Sequence, residues 1–219
     1  MTETVQITAN QIMILFFLIF IGFVARKRNI IDLPFGKKAS ELLVMVTTPA
    51  LILISFNFDF SRELLTRGFI VLAMGFVAHA LAILAASFLF RKVRDDRKRH
   101  ILIFASVFSN CIFMGFPVME SLFGKEGIFL SSFYLISFNT VIWTYGYMIM
   151  SGEKGLHSIK YALKNPALSA IGLGLLMFVL GIRMPVLLEK VLQIVGSMTT
   201  PLSMLLIGSQ LAGVRILGV

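Results

Sequence analysis

The chain has 219 residues, of which 58% are hydrophobic and 14% charged, with a mean hydropathy of +0.91. That balance leaves too little polar surface to keep the chain in water, so it is an integral membrane protein; disordered and collagen-like classes are excluded, and a lone Cys111 excludes a disulfide framework. The net charge of +9, from 20 Lys and Arg against 11 Asp and Glu, is read by position rather than as a sign of nucleic acid, because basic residues in membrane chains gather in cytoplasmic loops.

A bilayer crossing needs about 20 apolar residues. Apolar runs between charge clusters predict seven helices, over 5–24, 41–56, 68–90, 101–123, 128–150, 166–182 and 187–214, the second and sixth being short. The runs lack the period-two alternation of membrane barrel strands. Met1-Thr-Glu-Thr has no basic n-region, and Arg26, Lys27 and Arg28 follow the first run, so the first helix is expected to stay in the mature protein. Arg62, Arg67, Lys125, Arg183 and Lys190 fall on one side of the membrane and the remaining Lys and Arg on the other. The bias predicts a multi-pass protein of the cell membrane with its N-terminus outside and residue 219 in the cytoplasm. The run from Arg91 to His100 is then a loop anchor facing the bilayer surface, not a nucleic-acid patch.

Helix two carries Thr47-Thr48-Pro49, and helix seven repeats it as Thr199-Thr200-Pro201, at an offset of 152 residues. The offset spans five helices, and an odd number of crossings means that two such units run in opposite directions, the inverted-repeat plan of many secondary transporters. It gives a first five-helix repeat over 1–150, a cytoplasmic linker over 151–164 and the start of an inverted second repeat over 165–219, which stops after two helices. A fragment of a protein of about ten spans and a naturally short relative both fit this arithmetic.

In helix three, His79 is an ionisable group near the bilayer centre, which suggests a proton relay; a neutral imidazole bonded to a neighbouring helix is the plainer reading. Helix four contains Ser109-Asn110-Cys111-Ile112-Phe113-Met114-Gly115-Phe116-Pro117 within an apolar span. Pro117 lacks an N–H and Gly115 weakens the helix before it, so a kink or break is expected there. Backbone groups freed at this depth are tolerable only against protein or a wet cavity. A helix restarting at Pro117 would aim its positive end inward, where it could attract a carboxylate, with Asn110 as donor and acceptor nearby. The alternative is an ordinary proline kink with Asn110 bonding another helix. Glu120, one turn on, reads as an interface residue rather than a guard. In helix five, Asn139 and Thr144 could face the site, whereas Trp143 and Tyr145 read as belt residues. The 21 Phe and 12 Met read as lipid-facing and packing bulk.

At helix four the chain resembles the auxin efflux carrier family, bacterial type: Asn110, Phe113-Met-Gly115-Phe-Pro117 and Leu122-Phe123-Gly124 stand as in that family's pattern. Asn165-Pro166, Gly181-Ile-Arg-Met-Pro185 and Pro201-Leu with Leu206-Ile-Gly208 also look like its second half. The resemblance implies an all-α membrane protein, seven transmembrane helices of a ten-helix 5+5 inverted-repeat fold, with helix four broken at the substrate site. It further implies transport of small organic anions such as malate or malonate. Residue by residue, Pro117 matches the crossover proline, Gly115 its neighbour and Asn110 the polar residue near substrate, while Thr48 and Pro49 match the part of helix two facing the site. Helices eight to ten have no counterpart here.

The leading expectation is therefore a secondary transporter of carboxylates working by alternating access, in which Thr48, Pro49, Asn110, Gly115, Pro117 and Asn139 bind substrate and His79 relays protons. Its partners are the organic anion and the lipid bilayer, with proton or sodium coupling and a homodimer left open. No nucleotide loop, cofactor motif or metal-ligand spacing is present, and no paired mid-span aspartates or nucleophile turn suggest an enzyme. A seven-helix receptor or sensor is the alternative; a retinal protein would need a lysine deep in the last helix, where only Lys190 occurs, near its outer end.

Overall fold

The computed structural model describes residues 2–109, 111–152 and 166–213, so Asn110 and most of the expected linker lie outside the described residues. All regular structure among them is helical. In chain order the helices are α1 (Thr2–Lys27), α2 (Leu33–Leu42), α3 (Thr48–Ser55), α4 (Arg62–Leu89), α5 (Asp96–Val107), α6 (Phe116–Val141), α7 (Tyr147–Ser151), α8 (Pro166–Leu180), α9 (Val186–Ser197) and α10 (Thr199–Gly213). The stretches Leu33–Ser55, Arg62–Leu89, Asp96–Ser151 and Val186–Gly213 are long and apolar enough to cross a bilayer, and Pro166–Leu180 is a shorter apolar helix. The chain is thus an all-helical membrane protein, as composition requires.

Helix starts follow local capping chemistry. Asp32 accepts from the Phe35 amide at 2.7 Å, Ser61 from Leu64 at 3.2 Å and Asp95 from Lys98 at 3.1 Å, each satisfying an N–H that the first turn leaves without an intrahelical partner. These caps set the second, third and fourth helical stretches eight, six and five residues earlier than the apolar runs that begin at 41, 68 and 101. A cap, not the membrane boundary, decides where a helix begins.

Three five-residue π turns interrupt the α geometry, at Leu43–Thr47, Cys111–Gly115 and Ile142–Gly146. Two of them stand directly ahead of a proline, Pro49 and Pro117, which lie in the first turn of α3 and α6. A proline ring collides with the carbonyl four residues back and offers no N–H; widening the preceding turn relieves the collision. The break expected at Gly115–Pro117 is therefore displaced. Phe108 is extended (φ −99°, ψ 102°), and the chain leaves helix there, then passes Gly115 and Pro117 without losing helicity.

A second interruption follows at Gly124, with φ 57° and ψ −142° inside α6. A β-carbon built there would meet nothing within 4 Å, so conformation and not space requires glycine. Gly124→Ala is expected to cost about 1–3 kcal/mol, read as a lower melting temperature of the detergent-solubilised protein.

Packing is led by small residues. On α4 the buried positions are Gly68, Gly75, His79 and Ala86; the first three face α6, where a β-carbon on Gly68 would strike the Phe133 ring and one on Gly75 the Ser137 hydroxyl, while Ala86 packs on Ile103 and Val107 of α5. Most of the remaining α4 surface is exposed and apolar, as lipid contact demands. α1 packs along α10, with Gly22 against the backbone of Leu205 and Gly208 against the backbone of Ile19 and Phe23. α3 lies between α8 and α9, and Gly196 of α9 meets the Leu51 backbone. The turns after α3 and α8 are tied by an Arg183–Asp59 ion pair and by Arg183 Nη1 donating to the Asn57 carbonyl at 2.9 Å. The phenylalanines divide: Phe56, Phe116, Phe129, Phe133 and Phe178 form a buried aromatic core, while Phe16, Phe17, Phe20 and Phe88 stand on the outer surface.

Candidate functional site

The interruption at Phe108–Ser109 opens a cavity of about 620 Å³ beside the first turns after the break. Ser109, Cys111, Met114, Gly115, Phe116, Val118 and Met119 line it from the broken helix, Val71 from α4, and Leu130, Ser131 and Tyr134 from the second half of α6. The walls are mainly apolar, and the polar groups of their side chains are the hydroxyls of Ser109, Ser131 and Tyr134 and the Cys111 thiol. No charged side chain lines it. The Tyr134 hydroxyl reaches that of Ser109, linking the break to the opposite wall.

Of the residues expected at the site, Gly115 lines the cavity. Pro117 is buried between two lining residues, Phe116 and Val118. Asn110 lies outside the described residues, in the gap between Ser109 and Cys111. Thr48 is fully buried at the start of α3, its hydroxyl without a partner, and Pro49 is half-buried beside it; neither lines the cavity. Asn139 is buried one turn beyond Tyr134, and its amide donates to the Leu135 carbonyl at 2.9 Å. Thr144 bonds the Thr140 carbonyl of its own helix at 2.6 Å, and Tyr145 packs on the cluster around Ala86, Ile103 and Val107.

His79 is 3% exposed and stands behind the cavity wall. Its Nδ1 donates to the Gly75 carbonyl at 2.7 Å, on its own helix rather than a neighbouring one. Its ring stacks on Tyr134 with centroids 5.5 Å apart, and Phe108 and Phe138 close two further sides. Donation from Nδ1 leaves Nε2 as a bare acceptor in the neutral ring, and Nε2 is buried with no partner.

Two contributions were hidden from sequence reasoning. Ser131 and Tyr134 sit three residues apart, on one helix face, and only the fold of α6 back across the break aims that face at the cavity. Glu120, read as an interface residue, accepts from the Thr200 hydroxyl at 2.5 Å and so joins the half-helix after the break to the Thr-Thr-Pro segment of α10. Thr200→Val would leave a half-buried carboxylate without its donor; a loss of about 1–3 kcal/mol is expected in thermal unfolding, and Thr200→Ser should restore most of it.

Comparison with known proteins gives this geometry its setting. The family model described as membrane transport protein, that of the auxin efflux carriers, matches residues 7–160. The chain belongs to the auxin efflux carrier family. A relative from Methanothermobacter thermautotrophicus, named an uncharacterized transporter, is 26% identical over 164 residues, which cover 73% of this chain and 53% of that protein. The chain therefore spans about half the length of this curated relative. The family is one of membrane transport proteins rather than of enzymes.

Proposed function

We propose that this chain carries part of the substrate path of a secondary transporter in the cell membrane that moves a small organic anion, a carboxylate, by alternating access. The observation that carries the proposal is the cavity at the broken helix. It is large enough for a small dicarboxylate, and its few hydroxyls can orient a ligand. The helix restarting after the break supplies positive potential from its N-terminal end, which favours an anion where no cation lines the wall.

The 5+5 inverted repeat belongs to the same proposal and has independent support. If helix one corresponds to six and two to seven, the packing of α1 on α10 should recur as α8 on α3, and both pairings occur. Both Thr-Thr-Pro segments also stand where a helix restarts, after the π turn at Leu43–Thr47 and after Met198. The expected orientation, N-terminus outside, rests on the distribution of Lys and Arg. A homodimer belongs to the proposal only as the commonest closed arrangement of identical chains.

The test is uptake of radiolabelled malate and malonate by proteoliposomes containing the protein, alongside binding of the same anions to the purified chain. Saturable uptake that an unlabelled carboxylate suppresses and an uncharged analogue does not is the expected result. Uptake of neither anion would defeat the substrate class. Proton coupling through His79 is the finer proposal: His79→Gln keeps a donor for the Gly75 carbonyl and removes the titrating ring, so the pH profile of uptake should flatten. An unaltered profile would make His79 structural.

A further inference from the structure

The end of the broken-helix cavity nearest the turn at Gly124 is bounded by a cluster of charged side chains. α4 and the second half of α6 run side by side at a constant offset of 59 residues, so that Arg67 meets Glu126, Gly75 meets Tyr134 and His79 meets Phe138. Val71 and Leu130 stand at the same offset, and both line the cavity. Arg67 and Glu126 each lie four residues before them, on the same helix faces and one turn of about 5.4 Å nearer water. The Arg67 side chain therefore reaches from the α4 wall to the α6 wall just beyond the lining, over the end of the cavity.

Its guanidinium is divided between two carboxylates. Nη1 donates to Glu126 Oε1 at 3.2 Å, across to α6, and Nη2 to Glu63 Oε1 at 2.6 Å, one turn back on α4 itself. All three side chains are exposed, and ion pairs this wet are weak and similar in strength, so the guanidinium can leave either partner readily. The walls themselves are fixed: Gly68 and Gly75 seat α4 on α6, and Lys125, in the turn, pairs with Glu189 of α9 at 3.8 Å. What can move is the side chain of Arg67.

We infer that Arg67 guards the entrance to the cavity: bound to Glu126 it bars the way between α4 and the turn, and drawn back onto Glu63 it clears it. Two carboxylates serve one cation here because each holds it in one of the two positions. A carboxylate ligand arriving at the mouth would compete with Glu126 for the same planar fork, so its arrival favours the open position. That last step rests on the proposed substrate class; the entrance itself rests only on the cavity.

Cys111 is the one cysteine of the sequence and lines the cavity, so the rate at which it is labelled reads the entrance without any substrate. The probe is an uncharged maleimide bearing a short polyethylene glycol, on which surface charge does not act, and mass spectrometry of the full chain in detergent follows the product. Glu126→Gln removes the barring position and should speed labelling about two- to fivefold, the weight of one exposed ion pair. Arg67→Gln should do the same. Glu63→Gln removes an equal charge at the same mouth but leaves Arg67 to Glu126 alone, and should not exceed the parental rate. Melting temperatures should match the parent's, since all three side chains are exposed. Parental rates in both Glu126→Gln and Arg67→Gln, equal acceleration by Glu126→Gln and Glu63→Gln, or acceleration that tracks a lowered melting temperature would each overturn the inference, the last by reducing the pair to a tie between helices. Failed carboxylate uptake would leave it standing, and a failed entrance would leave the uptake test untouched.

Discussion

Gly208→Leu is expected to lower the melting temperature of the detergent-solubilised protein by about 6–12 °C, taking about 3 kcal/mol for overpacking and about 2–4 °C per kcal/mol at this chain length. The reason is local. A β-carbon on Gly208 would fall on the Ile19 carbonyl, and its carbonyl carbon and the Phe23 nitrogen lie within 2.8 Å. Backbone atoms cannot rotate away as a side chain can, so α1 and α10 must separate along a contact that Gly22 and Leu205 repeat one turn further on. Gly172 and Gly213 are the internal controls, since a β-carbon on either meets nothing within 4 Å; Gly172→Ala should raise the melting temperature slightly through helix propensity. Equal effects at Gly208 and Gly172 would show that the contact between α1 and α10 carries little of the stability.

Gly115→Leu should reduce carboxylate uptake at least about tenfold while leaving membrane abundance and melting temperature near those of the parent. Gly115 lines the larger cavity, and a β-carbon there has Cys111 Cβ at 3.8 Å as its nearest neighbour, an ordinary contact. The leucine therefore enters space that a ligand would use rather than space that protein already fills. The pair of glycines makes a contrast of mechanism: Gly208 is needed because another backbone occupies the room for a side chain, whereas the room beside Gly115 is cavity, which on the proposed function a substrate would use. Wild-type uptake by Gly115→Leu would move the substrate path away from the break in helix four.

The helices were legible in the sequence because apolar runs of this length have few alternatives in lipid. Their starts were not: Lys37 and Lys38 read as loop, yet Asp32 and Pro34 begin α2 ahead of them, and the two lysines lie on its exposed face. Pro117 signalled an irregularity correctly and located it wrongly. A proline states that one turn cannot be regular; it does not state whether the chain breaks there or widens the turn and breaks elsewhere, and here Phe108 takes the break. Of the expected site, Gly115 was readable from its motif. Ser131 and Tyr134 were not, because two hydroxyls in an apolar helix mean nothing until the fold of α6 brings them against the break. The contact between Glu120 and Thr200 spans 80 residues and belongs to the packing of α10, which no local pattern encodes.

The embrace of α1 by α10 has a consequence for how the protein is made. The ribosome must add 183 residues between Gly22 and Leu205, which at the usual rate of synthesis takes roughly 10–40 s. Throughout that interval the glycine-bearing face of α1 is already in the bilayer with lipid in place of its partner, and each lipid lying there must leave before the two backbones can meet. The seating of α1 therefore lags its insertion by at least that interval, and this face of the bundle does not assemble in the order in which its helices are made.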